Sequence, residues 1–374
     1  MLDVVGINVA NGPNMTPEKS EINIRPLHHD DFRDIYQVTD KPLILGNVPV
    51  VPGFEYSQLS EWLDRHNPAD HRFVAETKDG VLGLVILNQN LRPRLQHSGK
   101  IAMLTTSNPV YLHVQHALLS KALDFADNWL NITRVELEVD TNRKAEIEDI
   151  IDLGFRKEGT KKQAVYGNGE WRDLLLLARI QNVQDRPQEN AIGDGVSGRW
   201  RSTVSPPRKV ENVEIRPTEI SDSEAFHKIV LDPAICRTTL QLPSQEFWRI
   251  EKKLKESASW LHRFTALADG DIVGSIVMVQ DQSPGRNHTG HIGMKVHRDY
   301  WGIGIGTKLM TTVTDLVDGW LNVTRLELEV NTDNPAGIRL YEKTGFVIEG
   351  TKRLQAYGDG RWADSHFMAR IRNK

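Results

Sequence analysis

The stretch from Val296 to Thr307 carries the spacing most able to do chemistry: Gly302, Gly304 and Gly306 alternate with Ile303 and Ile305, directly after an apolar run and directly before a helical one. Glycines let the backbone approach a ligand closely and take positive φ. A helix that starts there offers unpaired N–H groups and the positive end of its dipole. Together these features predict a cradle for a diphosphate, held by the backbone of Gly302, Ile303, Gly304, Ile305, Gly306 and Thr307. No Gly-Lys-Ser/Thr follows, so the turn is not a Walker loop. A tight strand-to-helix turn needs similar glycines; the flanking elements fit the binding reading.

Those flanking elements can be read along the last 160 or so residues. Glu214–Pro217 is a short strand, Ser221–Leu231 a capped helix and Gln245–Ser257 a second, amphipathic helix. Arg263–Leu267 and Ile272–Gln280 form a hairpin around Asp269-Gly270, and Gly290–Val296 is the strand that enters the glycine turn. Thr307–Trp320 is a helix with Leu309, Met310, Val313, Leu316, Val317 and Trp320 on one face. A strand at Arg325–Asn331, a helix at Pro335–Thr344 and a final hairpin turning at Asp359-Gly360 complete the order.

The same order occurs twice. Trp129–Val139 and Trp320–Val330 agree at nine of eleven positions, 191 residues apart. That offset also aligns Ile24-Arg25-Pro26 with Ile215-Arg216-Pro217, His71-Arg72-Phe73 with His262-Arg263-Phe264, and Gly154-Phe155 with Gly345-Phe346. The period is too long for a solenoid and predicts a domain duplication. The expected organisation is a flexible leader over 1–20, a first domain over 21–182, a linker rich in Pro, Gly and Ser over 183–212, and a second domain over 213–374. Each domain is expected to be α/β (α+β), a mixed, mainly antiparallel twisted sheet with helices on both faces.

The second copy resembles the GNAT superfamily of acyl-CoA-dependent N-acyltransferases, and most closely its bacterial amino-acid-type members. Gly304 and Gly306 fill the two small-residue positions of the family's Arg/Gln-x-x-Gly-x-Gly/Ala turn. Trp301 stands where the family usually has Arg or Gln, which weakens a side-chain contact to phosphate and leaves the backbone cradle. The likeness continues through Glu327–Asn331, Asn334-Pro335-Ala336 and Leu340–Phe346. It implies acetyl-CoA as donor, with the pantetheine arm between two splayed strands, the amides meeting Met294 and Val296, and Asn334 alongside. Asn334 also reads as a plain N-cap. Tyr341 matches the family's tyrosine that protonates the departing thiolate; the plain alternative is a core tyrosine packing its helix against the sheet. The base is open among His291, where related enzymes carry a glutamate, and Glu327 or Glu329 on the next strand. Both glutamates recur in the first copy, as Glu136 and Glu138, which points to a structural share in their role.

The first copy lacks the chemistry. Tyr111, His113 and Gln115 stand opposite Gly302, Gly304 and Gly306, Ile150 opposite Tyr341, and Arg143 opposite Asn334. Side chains there are expected to obstruct a diphosphate, and isoleucine has no proton to give. The first copy is therefore expected to be degenerate and non-catalytic. Its histidines (His28, His29, His66, His71, His97, His113, His116) have no zinc-motif spacing and are expected to be scattered over the surface, with no metal bound. The terminal hairpins, with Trp171 and Trp362, are expected to serve turns and packing.

Composition sets the outer limits. The chain has 374 residues, 39% hydrophobic and 26% charged, with a net charge of -4. That charge predicts no nucleic-acid partner, and no apolar run is long enough to predict a membrane span. One cysteine, Cys236, fits a reducing compartment such as the cytoplasm and reads as a buried small residue. The expected assembly is a monomer acting as a pseudo-dimer, or a homodimer. The expected reaction is transfer of acetyl from acetyl-CoA to the primary amine of an amino acid or related small molecule. The alternatives are an acyl-CoA-sensing or protein-binding module without turnover, or an acetyltransferase acting on a protein or an amine antibiotic.

Overall fold

Two-residue turns with both residues at positive φ close three hairpins: Asn168-Gly169 (53° and 80°), Asp269-Gly270 (50° and 89°) and Asp359-Gly360 (53° and 77°). This geometry matches the right-handed twist of the strands it joins, and Asn or Asp followed by Gly tolerates it best. The computed structural model describes residues 22–38, 43–45, 55–65, 67–105, 111–181 and 208–372. The expected leader and residues 183–207 of the expected linker lie outside the described residues, as does His66.

The first half runs β1 (Asn23–Pro26), α1 (Phe32–Val38), β2 (Leu43–Leu45), α2 (Tyr56–Asp64), β3 (Asp70–Thr77), β4 (Gly80–Gln89), β5 (Ser98–Thr105), α3 (Tyr111–Asn128), β6 (Arg134–Asp140), α4 (Lys144–Asp152), β7 (Arg156–Gly167) and β8 (Glu170–Ile180). The second half runs β9 (Val213–Pro217), α5 (Ser223–Val230), α6 (Pro233–Thr238), α7 (Phe247–Lys255), β10 (Leu261–Ala268), β11 (Asp271–Gln280), β12 (Thr289–Val296), α8 (Ile305–Trp320), β13 (Arg325–Asn331), α9 (Pro335–Lys343), β14 (Val347–Gly358) and β15 (Arg361–Ile371). One helix, α6, has no counterpart in the sequence reading. Strand order is β1-β3-β4-β5-β6-β8-β7-β14-β15-β13-β12-β11-β10-β9, a palindrome about β7 and β14. Neighbours are antiparallel except β5 with β6 and β12 with β13. Among the described residues no helix is long and apolar enough to cross a membrane.

Each half buries a core on both faces of its sheet. In the second half α8 and α9 cover one face and α5, α6 and α7 the other. Helix α8 inserts Ile305, Leu309, Met310, Val313 and Val317. Trp320, expected on the same face, is 84% exposed, because it is the last residue of the helix and projects past the core.

The halves meet where Gly159 faces Gly350. A Cβ on either would strike the opposite backbone and the ring of Phe367, so this crossing admits only glycine. Around it, Lys161 lies 2.7 Å from Glu138 and 3.5 Å from Glu327, while Lys352 lies 2.7 Å from Glu329 and 3.4 Å from Glu136. Each lysine therefore joins carboxylates from both halves. Buried Arg134 binds Glu136, Glu158 and the carbonyl of Arg353; buried Arg325 binds Glu327, Glu349 and the carbonyl of Lys162. Charges this deep are tolerated only when every one is paired. The seam also takes His97, expected on the surface. Its Nε2 lies 2.8 Å from the carbonyl of Leu354 and its ring packs 4.2 Å from Trp362, while His288 packs on Trp171 in the mirrored place.

Candidate active site

Strand β12 pairs with β13 only from Thr289 to His291, although it continues to Val296. Beyond His291 the two strands part. The backbone of β12 from 292 to 296 then has a free edge toward β13, the opening an extended amide-bearing ligand needs. The glycine turn closes the far end of this opening. Gly302 (φ 81°) and Gly304 (φ 92°) both take positive φ, and nothing lies within 4 Å of a Cβ on either. Gly304 is the N-cap of α8, so the first N–H groups of that helix point outward. Gly306 has a different reason to be glycine: a Cβ there would stand 2.8 Å from Leu340 Cδ2, so it lets α9 pack against α8.

A cleft of about 1440 Å³ runs from this turn across the sheet to the α5–α7 side. Met294, Val296, Trp301, Gly302, Gly304, Ile305, Gly306, Thr307, Asn334, Tyr341, His291 and Glu329 all line it. Ile303 does not; its side chain turns into the core. The Trp301 indole donates to the carbonyl of Val296 at 2.7 Å, bracing the end of β12. The Asn334 oxygen accepts from Gly337 N at 3.0 Å and so caps α9 at the edge of the cleft. The Tyr341 hydroxyl has no hydrogen-bond partner among the described residues. Burial pushes its pKa up to about 12, which keeps it a phenol at working pH.

His291 projects into the cleft with Asp281 3.6 Å from Nε2 and Glu327 3.7 Å from Nδ1. Two carboxylates thus face its two nitrogens. Burial raises the proton affinity of Glu327, but Lys161 and Arg325 outweigh it and hold the carboxyl down to about 2. Glu329 opens onto the cleft yet is pinned by Lys352 at 2.7 Å; burial opposes ionisation, the lysine prevails, and its pKa falls below the ordinary carboxylate value. Both glutamates are therefore fixed anions with partners, and poor proton acceptors. Among the described residues no group of three His, Cys, Asp or Glu side chains could hold a metal ion.

Residues 226–346 match the acetyltransferase (GNAT) family. The L-amino acid N-acetyltransferase AaaT of Escherichia coli (strain K12) is 33% identical over 165 residues, which span 44% of this chain and 100% of that protein. The chain belongs to the GNAT acetyltransferase family. The Escherichia coli spermidine N(1)-acetyltransferase is 24% identical over 168 residues, 44% of this chain and 89% of that protein. Among solved structures, the acetyltransferase of GNAT family from Streptococcus pneumoniae is 26% identical with a TM-score of 0.40, covering 43% of this chain and 100% of that chain. As a GNAT protein the chain is an acyltransferase, and acetyl-CoA is its donor. The open β12 edge, the positive-φ glycines and the N-terminus of α8 fit that donor's pantetheine and diphosphate.

The first half of this GNAT chain treats the same places differently. Tyr111 and His113, expected to obstruct a glycine-type turn, instead belong to the first turn of α3. Helix α3 begins at Tyr111, three residues ahead of the place equivalent to Ile305, so a helical turn has replaced the cradle itself. Gln115 is buried and donates to Asp149 Oδ2 at 2.7 Å, filling the gap that Gly306 and Leu340 close in the other half. The parting of β5 from β6 is filled as well: Leu43, Ile44 and Leu45 of β2 pair with Thr105, Leu104 and Met103. The equivalent residues of the second half, Ala234–Cys236, form α6 instead. Cys236 is buried there with its thiol on the carbonyl of Val230.

Sequence reasoning missed seven residues of the site. Lys295 projects from β12 toward α5, 4.7 Å from the ring of Phe226, with no carboxylate partner among the described residues. Asp281 faces His291 from the loop after β11. Asn90, Arg92, Leu95, Lys100 and Lys161 bring the first half into the wall of the same cleft. Alternation along β12 could have placed Lys295 with His291 and Gly293; nothing local marks the others.

Proposed function

We propose that residues 213–374 form the catalytic domain, which moves an acetyl group from acetyl-CoA to the primary amine of a small, amino-acid-like molecule, and that residues 21–182 are a degenerate, non-catalytic copy. The observation that carries this reading is one cleft holding an open strand edge, a glycine turn, a half-buried phenol and a carboxylate-flanked histidine. The donor supplies the thioester carbon that the amine attacks. Gly302, Gly304, Ile305, Gly306 and Thr307 hold the diphosphate through backbone N–H groups, Ile303 through its backbone alone, and Trp301 steadies the strand beneath. Met294, Val296 and Asn334 bind the pantetheine. His291 takes the proton the amine loses as the N–C bond forms, and Glu327 and Asp281 favour the resulting imidazolium. Tyr341 gives its proton to the sulfur as the C–S bond breaks. Glu329 and Lys352 shape the floor between them. For the first half, the filled strand opening and the helical turn at Tyr111 support the inert reading.

Electrostatics favour an acceptor that carries a carboxylate. Glu327 and Glu329 are already paired, so they offer little to a polycation. Lys295 is one cation of the cleft with no carboxylate partner among the described residues. Burial, with Lys253 and Arg263 nearby, pushes its pKa down to about 8. Below that pH it is an ammonium that holds a carboxylate; above it the charge is lost. The acceptor KM should therefore rise about tenfold from pH 7 to pH 9 in the native protein. Lys295→Arg, which keeps its charge throughout, should show no such rise beyond what the acceptor's own amine imposes on both proteins. Titration of the acceptor amine affects both proteins equally, so parallel KM profiles would remove Lys295 from the site. The wider test is thiol release from acetyl-CoA against amino acids, polyamines and peptides. Turnover of amino acids is expected, and turnover confined to polyamines or peptides contradicts the proposed acceptor.

A further inference from the structure

Helix α6 is a thin wall. The main cleft lies on one side, lined by Thr238, Thr239 and Gln241. A second cavity of about 380 Å³ lies on the other, lined by Pro233, Cys236 and Arg237. A helix of six residues does not hold itself in place, and its last carbonyls need partners. The carbonyl of Arg237 accepts from Asn331 of its own half at 2.9 Å, whereas that of Cys236 finds its partner across the seam. Arg94, from the first half, donates from Nη1 to the carbonyl of Cys236 at 2.5 Å and to that of Thr239, and from Nε to the carbonyl of Tyr357 at 2.9 Å. Arg94 is only 8% exposed, and no carboxylate bonds to it among the described residues. Its charge is met by carbonyl dipoles at a helix C-terminus, the end that favours a cation.

The brace has no mirrored counterpart. A Cβ on Gly358 would stand 2.5 Å from Arg94 Nη2 and 2.7 Å from its Nε, so the guanidinium lies directly on bare backbone. The mirrored glycine, Gly167, has nothing within 4 Å, and the residue mirrored to Arg94 is Gly285. The second half reaches back differently: Gly285 accepts from Tyr166 N at 2.8 Å and Arg286 binds Glu138, but no guanidinium lies on Gly167.

We infer that Arg94 is a positioning residue for acetyl transfer: the degenerate half holds the acceptor wall of the catalytic half through it. This rests on the reading that the α5–α7 side of the cleft receives the amine. Three variants test it. Arg94→Ala removes the brace, Arg94→Lys leaves one charged point in place of a fork, and Gly358→Ala displaces the intact guanidinium. Two readouts are needed: steady-state KM for each substrate, and amide hydrogen exchange of peptides covering 233–242 and 302–307. Arg94→Ala and Gly358→Ala should each raise the acceptor KM roughly tenfold and leave the acetyl-CoA KM within about twofold. Exchange should quicken about tenfold over 233–242 and stay unchanged over 302–307. Arg94→Lys should fall between these and the native protein. Unchanged exchange over 233–242 in both Arg94→Ala and Gly358→Ala overturns the inference, as does faster exchange with an unaltered acceptor KM. Should the native protein turn over no amine at all, the functional reading falls, and exchange alone still decides whether Arg94 holds the wall.

Discussion

Tyr341→Phe should lower kcat about 100-fold and leave the acetyl-CoA KM within about threefold. General acids contribute roughly 10²- to 10⁴-fold. The leaving thiol has a pKa of about 8.5, so it departs fairly well unaided, which places the loss at the low end of that range. A phenol raised to about 12 is a weak acid for such a thiolate in water. In the closed pocket the departing sulfur is desolvated too, and its own proton affinity rises with it. Phenylalanine keeps the packing of this ring near Phe346, whose centroid lies 6.1 Å away, so stability should change little. Stopped-flow or steady-state thiol release reads the effect. A kcat within threefold of the native value would leave Tyr341 as a packing residue.

Gly304→Val should abolish measurable CoA binding while the protein still folds. Gly304 has φ 92° and ψ -1° at the start of α8. A β-branched residue in that conformation is strained by about 1–2 kcal/mol, and it places methyl groups where the diphosphate must approach bare backbone. The space around Gly304 is open, with nothing within 4 Å of a Cβ placed there. The stability cost is confined to that local strain, while affinity is expected to fall at least about 100-fold as several charge-assisted hydrogen bonds are lost. Calorimetric titration and thermal unfolding on the same sample separate the two effects. Undiminished affinity would move the diphosphate away from this turn.

What was legible in the chain was whatever local chemistry dictates. Asp269-Gly270 and Asp359-Gly360 specify their turns, apolar periodicity specifies α8, and the 191-residue repeat specifies two similar halves. The cleft-lining set from Met294 to Tyr341 followed from the glycine turn and the family likeness. What escaped depends on partners far apart in sequence. Arg94 meets Thr239 145 positions away, and Lys161 meets Glu327 166 positions away. Glu327 and Glu329 read as candidate bases because their neutralising lysines lie on β7 and β14 near the seam. One signal was present: Glu158-Gly159-Thr160-Lys161 recurs unchanged as Glu349-Gly350-Thr351-Lys352. A repeated glycine and lysine with no catalytic role are what a two-fold crossing requires. The strand β2 left no such mark, because residues 43–45 pair with β5 whereas the aligned Ala234–Cys236 fold as a helix.

The central claim is that one half of this GNAT chain binds the donor and the other has closed its site. The stoichiometry of CoA binding to the intact protein, measured by titration calorimetry with and without Gly304→Val, tests it most directly. The account predicts one site per chain, lost in the variant. Two sites per chain, or one that survives the substitution, contradicts it.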